Sequence, residues 1–207
     1  MSSHYIRKDS PPPGTTSFTK IRLGWITPDQ VVFVRPGEER GAFLSPLATG
    51  GEILVIKIPL PGDTYYLVEN RQAVGYDKVQ PDVGVLILKV NPSAVEGTGT
   101  VQVMDADPGS ANLSHATFRL DQPGRELFVD RQNNVAIVPL WSQGKTLGVL
   151  VTTAAKGPDA LQATQMIRKL WQQGAHKGAK KEIVDDCISA YGQYDFKRSS
   201  ELARQAL

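Results

Sequence analysis

Between Val31 and Thr152 the sequence breaks into short runs rich in Val, Ile, Leu and Tyr, at 30–35, 52–59, 64–71, 83–90, 100–104, 126–130, 134–140 and 146–152. Such residues suit a pleated, half-buried surface, and the runs are too short for ordinary helices. Turn chemistry separates most of them. Pro36-Gly37, Pro61-Gly62-Asp63, Pro108-Gly109 and Pro123-Gly124 pair a residue of fixed φ with one that accepts positive φ. Asn133-Asn134, between two apolar runs, predicts a tight hairpin. Many short strands at short spacing predict a mainly β, antiparallel, sandwich-like domain over 30–155, not a parallel α/β sheet.

The period changes at Gly157-Pro158, and 156–207 reads as a helical tail. A helix over 158–173 puts Ala163, Met166, Ile167 and Leu170 on one face, with Gly174 as its stop. A second, about 179–191, carries the apolar stripe Ile183, Val184, Cys187, Ile188 and Tyr191, and Gly192 is expected to end it. A third begins at Asp195, a good N-cap. The stretch from Tyr191 to Leu207 is similar to the turn and second helix of a tetratricopeptide repeat. Such repeats need about three stacked copies, so the expectation is an amphipathic, hairpin-like tail that docks on the sheet or on a partner. Residues 1–29 read as an arm, and the first 20 as loop, with the triplet Pro11-Pro12-Pro13 favouring an extended chain.

A chain of 207 residues can bury a core without disulfides. The formal net charge of +2 implies no broad basic field, so nucleic acid is not expected as a partner. The single cysteine, Cys187, reads as a small buried hydrophobe and not as a nucleophile. No run approaches the roughly 20 apolar residues of a membrane span. The N-terminus lacks the apolar stretch of a secretion signal, so as written the chain would stay in the cytoplasm.

In the run at 64–71, alternation places Tyr65, Leu67, Glu69 and Arg71 on one face. Glu69 and Arg71 share that face with apolar residues, which predicts a structural ion pair; the functional alternative makes Glu69 a general base or metal ligand. Asp82, Asp105 and Asp107 are candidate calcium ligands, since hard cations favour carboxylates in turns; without a glycine-centred twelve-residue loop, solvated turns are the plainer reading. The histidines His4, His115 and His176 are far apart in sequence and read as surface or loop residues. Gly97-Thr98-Gly99-Thr100 is a turn without the lysine of a phosphate loop, and no nucleophile elbow is present. Trp25, Trp141, Tyr65 and Tyr66 could make a sugar platform if exposed, but their apolar surroundings in sequence predict core packing.

Three blocks carry a family resemblance. The first is 16–26, Thr-Ser-Phe-Thr-Lys-Ile-Arg-Leu-Gly-Trp-Ile. The second is Tyr-Tyr-Leu-Val-Glu-Asn-Arg at 65–71 with Gly75-Tyr76-Asp77, and the third is Gly-Val-Leu-Ile-Leu-Lys-Val at 84–90. In order and spacing they resemble the segment downstream of the active site in secreted zinc metallopeptidases of the immune inhibitor A type. Lysine stands at 89 where that family often has histidine or tyrosine. The resemblance implies an exported peptidase lineage whose activity needs a helix bearing His-Glu-x-x-His, two zinc ligands and a glutamate that activates water. The sequence contains no such motif, so neither catalytic residues nor a zinc site is expected in this chain. By the same resemblance Met1-Ser2 corresponds to a Met-Ser turn beneath the zinc, so that the chain would begin just after the catalytic half. The implied role is that of a non-catalytic fragment or paralogue, supporting a catalytic half or binding a protein or peptide substrate. The arm residues Phe18, Ile21, Leu23, Trp25 and Ile26 would then lack part of their cover. The arm would be mobile, folded back on the β-domain, or buried against another copy. The alternative is an autonomous binding module for carbohydrate or protein with a partner-recruiting helical tail.

Overall fold

The computed structural model describes residues 12–95 and 97–207; Met1, Ser2 and His4 lie outside them. The described strands form two sheets. The five-stranded sheet has the order β1-β3-β4-β5-β6, built from β1 (Val31–Phe33), β3 (Val55–Pro59), β4 (Tyr65–Arg71), β5 (Gly84–Val90) and β6 (Val101–Val103). The four-stranded sheet has the order β2-β9-β8-β7, built from β2 (Arg40–Leu44), β7 (Phe128–Asp130), β8 (Val135–Gln143) and β9 (Thr146–Thr152). All pairings are antiparallel except β1 with β3, because the chain crosses to the other sheet as β2 before it returns. β2 has no counterpart among the predicted runs. Its sequence, Arg-Gly-Ala-Phe-Leu, opens on a charge and a glycine, and its only buried residue is Leu44.

Alternation explains how the sheets meet. Ile56, Ile58, Tyr66, Val68, Val85 and Ile87 from the first sheet join Leu44, Val135, Ile137, Val149 and Val151 from the second in one buried cluster. Tyr66 and Phe118 each make a T-shaped ring contact with Phe128 within it. On the outer face of the four-stranded sheet α2 (Gly157–Gln172) packs against β8, and α3 (Lys181–Gly192) and α4 (Phe196–Ala206) pack on α2 and on each other. Val138 and Leu150 meet Ala160, Ala163, Ile167 and Leu170 there. The outer face of the five-stranded sheet has its own cluster, in which Val55, Leu67 and Leu88 meet Ile26, Leu47 and Leu54. The expectation is met in part: two largely antiparallel sheets and a helical C-terminus are present, but helix takes up about as much of the described chain as strand does, so the fold is not mainly β.

The helix signals are borne out in part. Gly174 takes the left-handed conformation (φ 71°) just past α2, and Asp195 caps α4 by accepting from the Arg198 amide at 3.1 Å. Gly192 does not stop α3 through a positive φ; the left-handed residue is Tyr194, at φ 61°. Cys187 is buried, and its thiol lies 3.2 Å from the Ser199 carbonyl oxygen. Burial pushes that thiol's pKa up, as expected of an inert packing residue. A second polar contact inside the helical layer joins the hydroxyls of Thr164 and Tyr191 at 2.6 Å. Burial pushes the Tyr191 phenol up to about 12.

The start of α2 is held by a close approach. A Cβ on Gly157 would stand 2.7 Å from Ala136 Cβ and 3.3 Å from a Leu127 methyl. Its φ is not positive, so an alanine there is free of backbone strain. Helix propensity alone would make Gly157→Ala stabilising by up to about 1 kcal/mol. Overpacking against β8 should win and destabilise the protein by about 1–3 kcal/mol. Urea denaturation checks the sign; a gain in stability would show that α2 is not seated on the sheet at this point.

Candidate functional site

The segment that precedes β1 is not simple loop. It contains a six-residue helix, α1 (Ser17–Arg22), against the outer face of the five-stranded sheet. Its N-cap residue, Thr16, makes no side-chain capping bond. The cap comes from β4: Glu69 Oε2 accepts from the Ser17 amide at 2.7 Å. A carboxylate at a helix start satisfies an orphan amide and opposes the positive end of the peptide dipoles. Local sequence carries no sign of this helix because its stabiliser lies 52 residues away in the chain.

Glu69 belongs to a buried charged network. Arg71 Nη1 lies 3.0 Å from Glu69 Oε1, and Nη2 lies 2.7 Å from Asp77 Oδ1. All three side chains are essentially excluded from solvent. The guanidinium also donates to the carbonyl oxygens of Gly14, at 3.0 Å, and Thr15, at 3.3 Å. Asp77 Oδ1 accepts in turn from the Gly14 amide at 2.9 Å. A Cβ on Gly14 would stand 2.9 Å from that oxygen, so glycine is what lets the backbone come so close. Arg71 Nε and the hydroxyls of Thr15 and Ser17 are buried without partners.

Two carboxylates face one guanidinium here, and Lys20 balances the surplus negative charge. Its ammonium group donates to the Leu47 carbonyl oxygen at 2.7 Å. Partial burial lowers the lysine's pKa, against the attraction of Asp77. The network thus ties residues 14–20 to the end of β4 and to the Asp77 turn. Beside it runs a groove of ≈ 550 Å³ between Pro13 and Phe18 of the arm and Leu86, Val101, Val103 and Leu113.

The arm is folded back on the β-domain, one of the three states expected of it. Ile26 is buried and Phe18 and Ile21 are half-buried, but Leu23 is 54% exposed and Trp25 64% exposed. Core packing is therefore the wrong expectation for Trp25. The sequence rule failed because Gly24, at φ 71°, turns the chain out of α1 before the tryptophan. Core packing fails for Trp141 too, which is partly exposed on β8 of the other sheet, so these two do not share a platform. Tyr66 is buried, its hydroxyl bonded to Asp130 Oδ2 at 2.7 Å. Tyr65 is half-buried on the outer face with the Lys57 ammonium 4.2 Å from its ring centre.

The three calcium candidates are otherwise engaged. Asp82 lies against the Arg125 guanidinium and accepts from the Thr117 hydroxyl at 2.7 Å. Asp105 accepts from the Asp107 amide at 3.0 Å, and Asp107 sits 3.3 Å from a His115 ring nitrogen. Among the described residues, no three His, Cys, Asp or Glu side chains stand together as a metal site would need. His176 stacks on Trp171, ring centres 4.0 Å apart and 6° from parallel. Among the described residues no helix is long and apolar enough to cross a membrane.

Compared with known proteins, the chain matches no family model, no curated protein and no solved structure.

Removing Arg71 tests the network. Arg71→Met keeps much of the side chain's length but leaves Glu69 and Asp77 buried without their cation, which should cost about 3–5 kcal/mol. Amides of α1 should exchange with solvent much faster, while those of β4 and β5 stay protected. A double variant, Glu69→Gln with Arg71→Met, should recover part of the loss, because the two sites share one interaction. Unchanged exchange through α1 in Arg71→Met would show that apolar contacts alone hold the arm.

Proposed function

We propose that this chain is non-catalytic and that its arm presents a surface to a protein partner. This is the role a post-catalytic segment would play in an immune inhibitor A-like zinc metallopeptidase, bracing the catalytic half or helping to hold its substrate. In this reading the two sheets act as a sandwich that fixes the arm. One observation carries it. The block 16–26, which bears part of the resemblance, is pinned through the Ser17 amide on buried Glu69 of β4 and through Lys20 on the Leu47 carbonyl oxygen, yet it offers Leu23 and Trp25 to solvent. Covering one large apolar side chain is worth roughly 1.5–3 kcal/mol. A pinned segment that leaves two of them outside is well suited to contact another surface.

The second reading is an autonomous binding module for carbohydrate or protein. It is favoured by the exposed Trp141, which borders a polar cavity on a different part of the molecule.

The purified chain should hydrolyse neither casein nor a peptide library with added zinc. Metal-dependent turnover abolished by a chelator would overturn the non-catalytic part. For the partner, the chain should bind a separately expressed catalytic half of an immune inhibitor A-like peptidase. Trp25→Ser should weaken that binding at least about tenfold, the effect of losing about 1.4 kcal/mol of contact, without changing the chain's own denaturation midpoint. Binding that ignores Trp25→Ser would remove the arm from the interface.

A further inference from the structure

A cavity of ≈ 310 Å³ lies apart from the arm, where Gln72 follows β4, Gly84 opens β5, and the end of β8 meets Arg168 of α2. Its volume is at the small end of the range for small-molecule sites. Three features of its walls point to a ligand.

The first is a bulge. β8 pairs Pro139 with Val149 and then Ser142 with Leu147, so β8 holds one more residue than β9 between these pairs. An extra residue bends a strand and re-aims its side chains. Here Leu140 packs with the helices, and Trp141 borders the cavity at 41% exposure. Gly148 opposite makes room: a Cβ there would come within 3.0 Å of Leu140 Cβ and 3.3 Å of the Trp141 carbonyl oxygen.

The second is charge. Arg119 holds Asp121 through two bonds, Nε at 3.0 Å and Nη2 at 2.9 Å, which keeps the Asp121 carboxyl below its usual range. Arg119 also approaches Asp82 at 3.7 Å, where Arg125 is already seated. Three guanidiniums, those of Arg119, Arg125 and Arg168, thus face two carboxylates. The surplus cation is Arg168. It makes one hydrogen bond, a long contact from Nη1 to the Leu120 carbonyl oxygen at 3.4 Å; its charge helps Arg119 hold the Asp121 carboxyl down, but among the described residues no carboxylate is within ion-pair distance of it.

The third is hydrogen-bonding capacity. Gln72 spends its amide N–H on Asn70 Oδ1 at 2.9 Å, which leaves its carbonyl oxygen as an acceptor. Ser142 also lines the cavity and brings a hydroxyl group.

We propose that this cavity binds a small sugar acid, a ligand of about one hexose carrying a single carboxylate or phosphate. Arg168 takes the anion as a fork. Trp141 covers one face of the ring, as aromatic side chains do for flat amphipathic ligands. Gln72 and Ser142 bond hydroxyl groups. The proposal is independent of the arm: it deepens the binding-module reading, and its failure leaves the protein-partner reading untouched.

Titration of the full-length ¹⁵N-labelled chain tests it, with glucuronate, glucose 6-phosphate, glucose and inorganic phosphate as probes. The two acidic sugars should give saturable shifts at the Trp141 indole and at the Gly84 and Gly144 amides, with Kd of about 0.1–1 mM. Arg168→Gln should weaken both about tenfold, and Arg168→Lys should fall between, since a lysine keeps the charge but loses the fork. Trp141→Ala should weaken the sugar acids and leave inorganic phosphate unchanged. Spectra that match the parent outside the cavity certify folding of each variant. Glucose binding as well as glucuronate would overturn the role of Arg168. Phosphate alone binding as well as the sugar phosphate would overturn the role of Trp141. No saturable shift with either acidic sugar would overturn the site.

Discussion

The buried guanidinium of Arg71 is the constraint on which the arm depends. A cation taken out of water is tolerated only where opposite charges and carbonyl oxygens replace its hydration. Glu69 and Asp77 supply the charges, and the Gly14 and Thr15 carbonyls supply much of the rest. Those carbonyls belong to the arm. Once Arg71 is buried at the end of β4, residues 14 and 15 must lie beside it, and the Ser17 amide meets Glu69 as α1 begins. Replacing such a network with well-packed apolar residues often leaves stability unchanged or improved, so its weight falls on position. It sets where the arm lies more than how firmly the sheets hold together.

β4 serves both faces of its sheet. Tyr65, Leu67, Glu69 and Arg71 point outward, to the arm and its cluster, and Tyr66, Val68 and Asn70 point toward the other sheet. The inward residues are not all apolar. Tyr66 reaches Asp130 at the end of β7, and burial raises its phenol pKa strongly, with the Asp130 bond adding to the effect. Asn70 donates to the carbonyl oxygens of Leu44 and Lys145, both at 2.8 Å. These contacts connect the sheets at both ends of one strand. A purely apolar interface would tolerate sliding, and directional bonds at fixed places do not. The arm, the first sheet and the second are therefore registered through a single seven-residue strand.

What the sequence made legible follows from how local each cause is. The strands at 64–71, 83–90 and 146–152 have strong alternation or continuous apolar runs between turn residues, and they form where that pattern puts them. The cap at Asp195 and the stop at Gly174 are short-range effects and were equally readable. β2 was not readable, because its pairing with β9 joins residues more than a hundred positions apart and its own residues carry little strand signal. α1 was hidden for the same reason. At the candidate site, alternation along β4 placed Glu69 and Arg71 on one face, but nothing in the spacing named Asp77, Gly14 or Lys20 as their partners. The cavity at Trp141 was further out of reach, since a bulge is a mismatch between two strands and leaves no mark on either alone.

The two cavities share a wall. Asp82 lines the groove beside the arm, and Arg119, 3.7 Å from Asp82, lines the cavity beside Trp141. Between them, Thr117 bonds Asp82 through both its amide and its hydroxyl, and Arg125 donates to the Thr117 carbonyl oxygen at 2.7 Å. Gly84 permits this wall: a Cβ there would lie 2.8 Å from Arg119 Cγ, the Phe118 carbonyl oxygen and the Thr117 hydroxyl alike. Its φ of 145° is one that side-chain-bearing residues rarely adopt. The opening residue of β5 is therefore glycine on two independent grounds, and the ion cluster can pack directly on the strand. The cluster satisfies its own charges almost completely, which separates two differently built surfaces. On one side the groove is lined by apolar Phe18, Leu86, Val101 and Val103; on the other the cavity carries Arg168. The two surfaces differ in character, and a cluster of paired charges lies between them.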